Sequence, residues 1–261
     1  MQTRKTILLS IDSLGPGGAQ RQLCMLALLL KQHGYNVIVA IYHNIVFFRG
    51  LLDHTQIPLI RINARNKIDR IRQFRRLIEI HRPDVIIAYL ENPSLLAELA
   101  IKSKHRAKLI VSERNDMLHQ KRWKHWLRLQ LHRRADAVVA NSSELAKSVV
   151  KIAPWLQSRM HTIVNCVDLE KFTPAAKSKS VEANKVLVVA RFAEQKNPYN
   201  LIKAVDLLRS THPALDIKIH WYGNNFFVDG KATKFSYCYL QTQQMVAQMG
   251  LQEHVELYDA V

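Results

Sequence analysis

Ile7-Leu8-Leu9-Ser10-Ile11-Asp12-Ser13-Leu14-Gly15-Pro16-Gly17-Gly18-Ala19-Gln20-Arg21 is the stretch on which the fold turns. An apolar run of strand character enters a glycine-rich turn, and a helical pattern over 19–32 follows at once, stopped by Gly34. A glycine turn that feeds a helix start leaves bare backbone N–H groups at the positive end of the helix dipole, which suits a phosphate. Two common phosphate loops are excluded. The P-loop lysine is missing. The dinucleotide fingerprint has Gln20 where its third glycine belongs, and Tyr42-His43-Asn44 after the next strand lacks the acid that holds a ribose. A tight turn with no ligand is the plain alternative.

Outward from this unit the same rhythm repeats. Strand-like runs fall at 7–11, 37–42, 58–62, 85–89, 109–112, 137–140 and 161–164, most of them continuously apolar, as parallel strands covered on both faces are. Helical patterns at 19–32, 67–81, 93–102, 121–133 and 143–151 lie between them. Repeated βα units predict an α/β fold with a doubly wound parallel sheet. After Asp168 the rhythm breaks, and 174–184 is small, polar and lysine-bearing like a linker. It restarts with strands at 186–190, 217–222 and 255–258 and helices at 198–209 and 237–249. The expected organisation is a first lobe over 1–168, a connection over 169–184 and a second lobe over 185–261. The 77 residues of that second lobe are fewer than the ~100–150 of a typical domain, so it reads as incomplete.

The 261 residues carry 38 Lys and Arg against 21 Asp and Glu, a net charge of +17. Residues 1–168 hold 27 basic and 12 acidic side chains, or +15, and the remainder holds 11 and 9, or +2. A basic excess confined to one lobe calls for an anionic partner there: nucleic acid, anionic phospholipid or a diphosphate-bearing substrate. No apolar run reaches the ~20 residues of a membrane span, and the N-terminus lacks a signal-peptide pattern. Three distant cysteines, Cys24, Cys166 and Cys238, read as reduced thiols of a cytoplasmic protein. The 12 scattered histidines show no metal-ligand spacing, and no serine-hydrolase elbow is present.

A second phosphate-competent segment opens the second lobe. Arg191-Phe192-Ala193-Glu194-Gln195-Lys196-Asn197-Pro198 follows a predicted strand, at the end where open α/β sheets bind ligands. Arg191 as a fork and Lys196 as a point charge can converge on one diphosphate. The alternative is a solvated surface pair.

Four stretches together carry a resemblance. The Gly17-Gly18-Ala19-Gln20-Arg21 loop, the Asn165-x-Val167-Asp168-x-x-x-Phe172-x-Pro174 segment and the Val189-x-Arg191-x-x-x-x-Lys196-Asn197-Pro198 segment resemble the retaining glycosyltransferases of family 4, or group 1, with the GT-B fold. Ser112-Glu113-Arg114-Asn115-Asp116 is similar to a subgroup that builds bacterial surface polysaccharides, including lipopolysaccharide and O-antigen. The resemblance spans the chain. It implies two Rossmann-like lobes, with a nucleotide-sugar donor on the C-terminal one and a glycan acceptor on the N-terminal one. It implies that Gly17 and Gly18 approach the donor phosphate and the reacting sugar, and that Arg191 and Lys196 neutralise the leaving diphosphate in place of a metal. No cofactor or metal is expected. Glu113, Arg114, Asn115 and Asn165 fall on the acceptor and interlobe side.

Three departures stand out. Cys166 replaces the glycine usual in the interlobe segment. The loop after the fourth strand, Leu90-Glu91-Asn92-Pro93-Ser94, lacks a histidine, which leaves Asn92 as a substitute candidate. The family's Glu-x7-Glu donor signature is absent from the 261 residues, so a C-terminally truncated chain with impaired transfer is expected.

Two helical patterns combine cations with an apolar stripe. In 121–133, Trp123, Trp126, Leu127 and Leu131 share one face, with Arg122, Lys124 and Arg128 elsewhere. In 67–81, Ile68, Ile71, Phe74 and Ile78 do the same beside Arg70, Arg72, Arg75 and Arg76. Such faces either pack on the sheet with their charges solvated, or lie on an anionic membrane. The membrane reading fits a lipid-linked acceptor and a peripheral place at the inner face of the cell membrane, with nucleic acid the less fitting partner. Its rival is a non-catalytic remnant that binds an anionic membrane surface or nucleic acid. Glu113 and Asp116 are either an acid/base pair, a cap for the next helix, or the groups that orient Arg114.

Overall fold

The computed structural model describes residues 4–101, 106–114, 122–174, 184–224 and 236–259, without the side chains of Arg122 and Lys124. The chain divides into two compact units, one ending at Phe172 and one beginning at Thr173.

In the first unit β1 (Thr6–Ser10), β2 (Asn36–Ile41), β3 (Leu59–Arg61), β4 (Val85–Tyr89), β5 (Lys108–Glu113), β6 (Ala137–Ala140) and β7 (Met160–Thr162) form a seven-stranded sheet in the order β3-β2-β1-β4-β5-β6-β7. Every pairing in it is parallel. Its helices are α1 (Gly18–Gln32), α2 (Lys67–His81), α3 (Glu91–Ala100), α4 (Arg122–Leu131) and α5 (Ser143–Ile152). Strand residues alternate between two cores. Leu8 belongs to the one built with Phe74 and Ile78 of α2, Leu96 of α3 and Val149 of α5. Ile7 and Leu9 belong to the other, with Leu23 and Ala27 of α1. This two-residue alternation with both faces covered explains the continuously apolar strands.

Local chemistry sets the helix ends. Asn66 caps α2 by accepting from the Asp69 N–H at 2.9 Å, and Ser142 caps α5 by accepting from the Leu145 N–H at 3.2 Å. Arg82 closes α2 at φ 42° just ahead of Pro83. One start differs from expectation: α3 begins at Glu91, before Pro93. A proline in the first turn has no intrahelical N–H to lose, so it does not mark the beginning.

The second unit is a parallel three-stranded sheet in the order β10-β9-β8, from β8 (Lys185–Val189), β9 (Lys218–Tyr222) and β10 (Val255–Tyr258). The helices α6 (Pro198–Thr211) and α7 (Tyr237–Gln248) build its core around Ile202, Val205, Ile219 and Val246. β8 is an edge strand, and its Leu187 and Val189 are exposed.

Candidate functional site

The order of the first sheet reverses between β1 and β4, so the loops after these strands flank the crevice where open α/β sheets receive ligands. After β1 the glycine turn is tied to the segment behind β2: Leu14 N–H donates to the Ile45 carbonyl at 2.8 Å and Phe48 N–H to the Leu14 carbonyl at 2.9 Å. Gly17 is the N-cap of α1 in an extended conformation, without a side-chain cap and without an acid in the first turn. The backbone does not require these glycines. A Cβ on Gly18 would meet open space, and one on Gly17 would meet only the end of the flexible Gln20 side chain. Their effect is to leave the positive end of α1 uncovered.

The residues that follow the glycines pin the segment at the end of the unit. The Gln22 amide grips Cys166 from both sides, accepting from its N–H at 2.9 Å and donating to its carbonyl at 2.8 Å. Arg21 lies over the Phe172 ring at 5.1 Å. Arg114, packed on the Tyr89 ring at 4.0 Å, donates to Ser112 Oγ at 3.1 Å and to Asn165 Oδ1 at 2.8 Å. Arg114 and Asn165 are therefore brought together. The unit extends to Phe172 rather than Asp168 because these contacts hold the segment on it. Asn92 is exposed in the first turn of α3. Asn115 and Asp116 lie outside the described residues.

Glu113 goes elsewhere. Its buried carboxylate points inward, accepting from Arg128 at 3.0 Å and meeting His132 Nε2 at 2.9 Å. The other ring nitrogen of His132 meets Glu98 at 2.5 Å, with both side chains 0% exposed. Arg128 also approaches Glu91 at 3.6 Å and His125 at 3.0 Å. Burial disfavours the His132 cation, but its bonds to Glu113 and Glu98 outweigh that and push its pKa up to about 9. Burial likewise opposes the Glu113 anion, and the His132 bond with the Arg128 charge brings its carboxyl below the usual range. Burial and the Arg128 charge lower His125. Glu113, expected on the acceptor side, thus turns inward to Arg128 and His132, and the side-chain hydrogen bonds of Arg114 go to Ser112 and Asn165 instead.

The same network corrects the reading of α4. Arg128, expected on the outer cationic face, is buried. Trp123, Trp126 and Leu127 are instead 62%, 50% and 53% exposed. His125, Arg128 and His132 recur at i, i+3 and i+7, which is also a helical stripe, and that spacing was the one signal of their common face. Glu98 carried no signal at all.

In the second unit Arg191 and Lys196 are both exposed at the carboxyl end of β8. Phe192 between them is buried and stacked on Trp221, with ring centroids 5.2 Å apart. Lys196 ends a 3-10 turn, after which Asn197 at φ 53° leads into Pro198 at the start of α6. Trp221 donates through Nε1 to the Ala190 carbonyl at 2.6 Å, and a Cβ on Gly223 would collide with that carbonyl. Trp221 and Gly223, unnoticed in the sequence, hold the backbone that carries Arg191. Among the described residues no carboxylate is ion-paired with either cation, and no group of His, Cys, Asp and Glu has a metal-ligating arrangement.

Residues 16–171 match the family model described as Glycosyltransferase Family 4. No curated protein matches in sequence at a significant level. Among solved structures the chain is similar to Anabaena Alr3699/HepE in complex with UDP and glucose, at 18% identity and TM-score 0.75, over 99% of this chain and 70% of that one. It is also similar to a glycosyltransferase from Rickettsia africae, at 18% identity and TM-score 0.72, over 99% and 69%. A third is the lipopolysaccharide outer core galactosyltransferase WaaB in its apo form, at 15% identity and TM-score 0.67, over 98% and 68%. These neighbours share the GT-B fold.

Proposed function

The chain belongs to Glycosyltransferase Family 4, and from that premise we propose that it moves a hexose from a nucleotide-diphosphate sugar to a lipid-linked glycan acceptor in surface polysaccharide assembly, with retention of anomeric configuration. The observation that carries the donor side is the exposed pair Arg191 and Lys196, both in the connection between β8 and α6. A leaving diphosphate gains negative charge as the glycosidic bond breaks, and two fixed cations stabilise that charge more than the ground state. They take the part a metal plays in other transferases. The uncovered start of α1 at Gly17 and Gly18 supplies N–H groups to the donor phosphate or sugar. The UDP and glucose of HepE and the lipopolysaccharide role of WaaB support this direction.

On the acceptor side, Asn92 in the first turn of α3, with Arg114 and Asn165 in the segments after β5 and β7, stands at the carboxyl edge of the first sheet. The exposed Trp123, Trp126 and Leu127 of the basic helix α4 support peripheral contact with an anionic membrane, at its cytoplasmic face where nucleotide sugars are made. Among the described residues no helix is long and apolar enough to cross a membrane.

Calorimetric titration of UDP-glucose into the chain tests the donor side. Removing one charge-assisted contact costs about 1.5–3 kcal/mol, so Arg191→Ala or Lys196→Ala should weaken binding by about 10- to 100-fold. Binding that the double variant leaves unchanged would refute the assignment. Flotation with anionic against neutral vesicles, with duplex DNA as competitor, tests the surface. Preference for the DNA would sink the membrane reading.

A further inference from the structure

A small cavity of about 240 Å³ opens between α2 and α3, lined by Lys67, Arg70 and Ile71 of α2 and by Asn92, Leu95, Leu96 and Leu99 of α3. Lys67 and Arg70 lie one turn apart at the start of α2, and Leu95 and Leu99 one turn apart on α3, so each pair shares a helix face. The pocket therefore has a cationic wall and an apolar wall, and no carboxylate lines it. Asp69, the acid next to Arg70 in sequence, is engaged elsewhere, accepting from the Arg65 N–H and from Gln73 Nε2, each at 2.9 Å. Arg70 is held in place by the Tyr42 ring at 4.1 Å. Among the described residues no carboxylate is ion-paired with it, and its buried Nε has no hydrogen-bond partner. A buried guanidinium donor left unmade is unfavourable by roughly 1–3 kcal/mol.

Position adds to the chemistry. α2 follows β3 and α3 follows β4, so the starts of both helices, with Lys67, Arg70 and Asn92, stand at the carboxyl edge of the sheet. β4 is the neighbour of β1, whose glycine turn opens at the same edge. The volume falls below the roughly 300 Å³ at which whole small-molecule pockets begin. It has room for a phosphate and the first carbons of a chain.

We infer that this pocket binds the chain-linked phosphate of a phosphorylated apolar lipid, with the phosphate on Lys67 and Arg70 and the leading carbons on Ile71, Leu95 and Leu99. Resting on the lipid-linked acceptor proposed above, it is the subsite for that acceptor's lipid phosphate, beside the reacting end rather than at it.

Farnesyl phosphate below its micelle concentration is the probe, titrated calorimetrically into the full chain beside inorganic phosphate and farnesol. Farnesyl phosphate should bind at least tenfold more tightly than either half-ligand. Arg70→Ala and Lys67→Ala should each weaken it about tenfold or more, and Leu95→Ser should weaken it without changing the affinity for inorganic phosphate. Lys67 is exposed, so its variant keeps the fold even if Arg70→Ala lowers the thermal midpoint. Equal affinity for inorganic phosphate, no binding, or binding unchanged in the Lys67/Arg70 double variant would overturn the site. A chain that binds farnesyl phosphate through these residues but does not bind a lipid-linked glycan there keeps the site and loses the acceptor reading. Lipid-acceptor transfer unchanged by Arg70→Ala and Leu95→Ser keeps that reading and removes the site.

Discussion

Helices α2 and α4 have the same signature in sequence, an apolar stripe among arginines and lysines, and the fold turns them in opposite directions. α2 buries Phe74, Leu77 and Ile78 and leaves Arg72 and Arg76 exposed. α4 and the 3-10 turn His132–Arg134 after it bury His125, Arg128, Leu129 and His132 and leave Trp123, Trp126 and Leu127 outside. The difference lies in what each helix meets. α2 packs on an apolar surface of Ala97, Ala100 and the sheet. α4 meets two buried carboxylates, Glu98 of α3 and Glu113 of β5, so the cationic stripe finds counter-charge inside. A buried charge is tolerated only where it is paired and hydrogen-bonded, and once that pairing exists it decides which face turns in.

The largest effect should come from breaking each helix at its own anchor. Glu98→Leu removes one of the two carboxylates that hold the His132 cation and leaves its Nδ1–H unpaired, and loss of one partner of a buried pair costs about 3–5 kcal/mol. Phe74→Ala should cost a similar ~3–5 kcal/mol on α2, from lost burial and a cavity. Urea unfolding measures both. A Glu98→Leu effect below about 1 kcal/mol would mean that the network does not anchor α4.

Titration separates the two causes. The folded pKa of His132, about 9, lies above its ordinary value of 6.5. The stability it contributes is therefore fully present below pH 6.5 and is lost as pH rises through about 9. From 1.36 kcal/mol per unit the loss is on the order of 3 kcal/mol. Thermal midpoints from pH 6 to 10 should fall for the native chain and fall less for His132→Asn, whereas Phe74→Ala should keep the native slope. Equal slopes in all three would break the contrast.

Smaller effects belong to the outward faces. Trp126→Ser touches a half-exposed ring whose main contact is an edge-on packing with Trp155 at 6.4 Å, and should cost about 1 kcal/mol or less. Combined with Trp123→Ser it should reduce flotation with anionic vesicles several-fold while the fold persists. Vesicle binding that survives the pair would move the membrane contact off α4. Arg76→Ala on the solvated side of α2 should change stability by no more than about 0.5 kcal/mol.

Much of the site was legible before the fold because its signals are local. The glycine turn after β1 and the cations Arg191 and Lys196 around a βα turn are read within a few residues, whereas the approach of Arg114 to Asn165, 51 residues on, was not. Gly223 and Trp221 escaped notice because their partner, the Ala190 carbonyl, lies on another strand. Glu113 was misread for the same reason: the groups that claim it are 15 and 19 residues away. Gln22 showed nothing of its grip on Cys166, 144 residues later.

The order of strands and helices, the parallel sheet, the family and the places of the glycine turn and of Arg191 and Lys196 were determined by the sequence alone, since periodicity and turn chemistry act over a few residues. Tertiary structure alone decided which face of α4 is buried, that Arg128 serves the core rather than the surface, and that Lys67, Arg70 and Leu95 line one cavity. Helical periodicity shows only that a helix has two faces. Which of them turns inward depends on the charge and shape that distant segments bring to meet it.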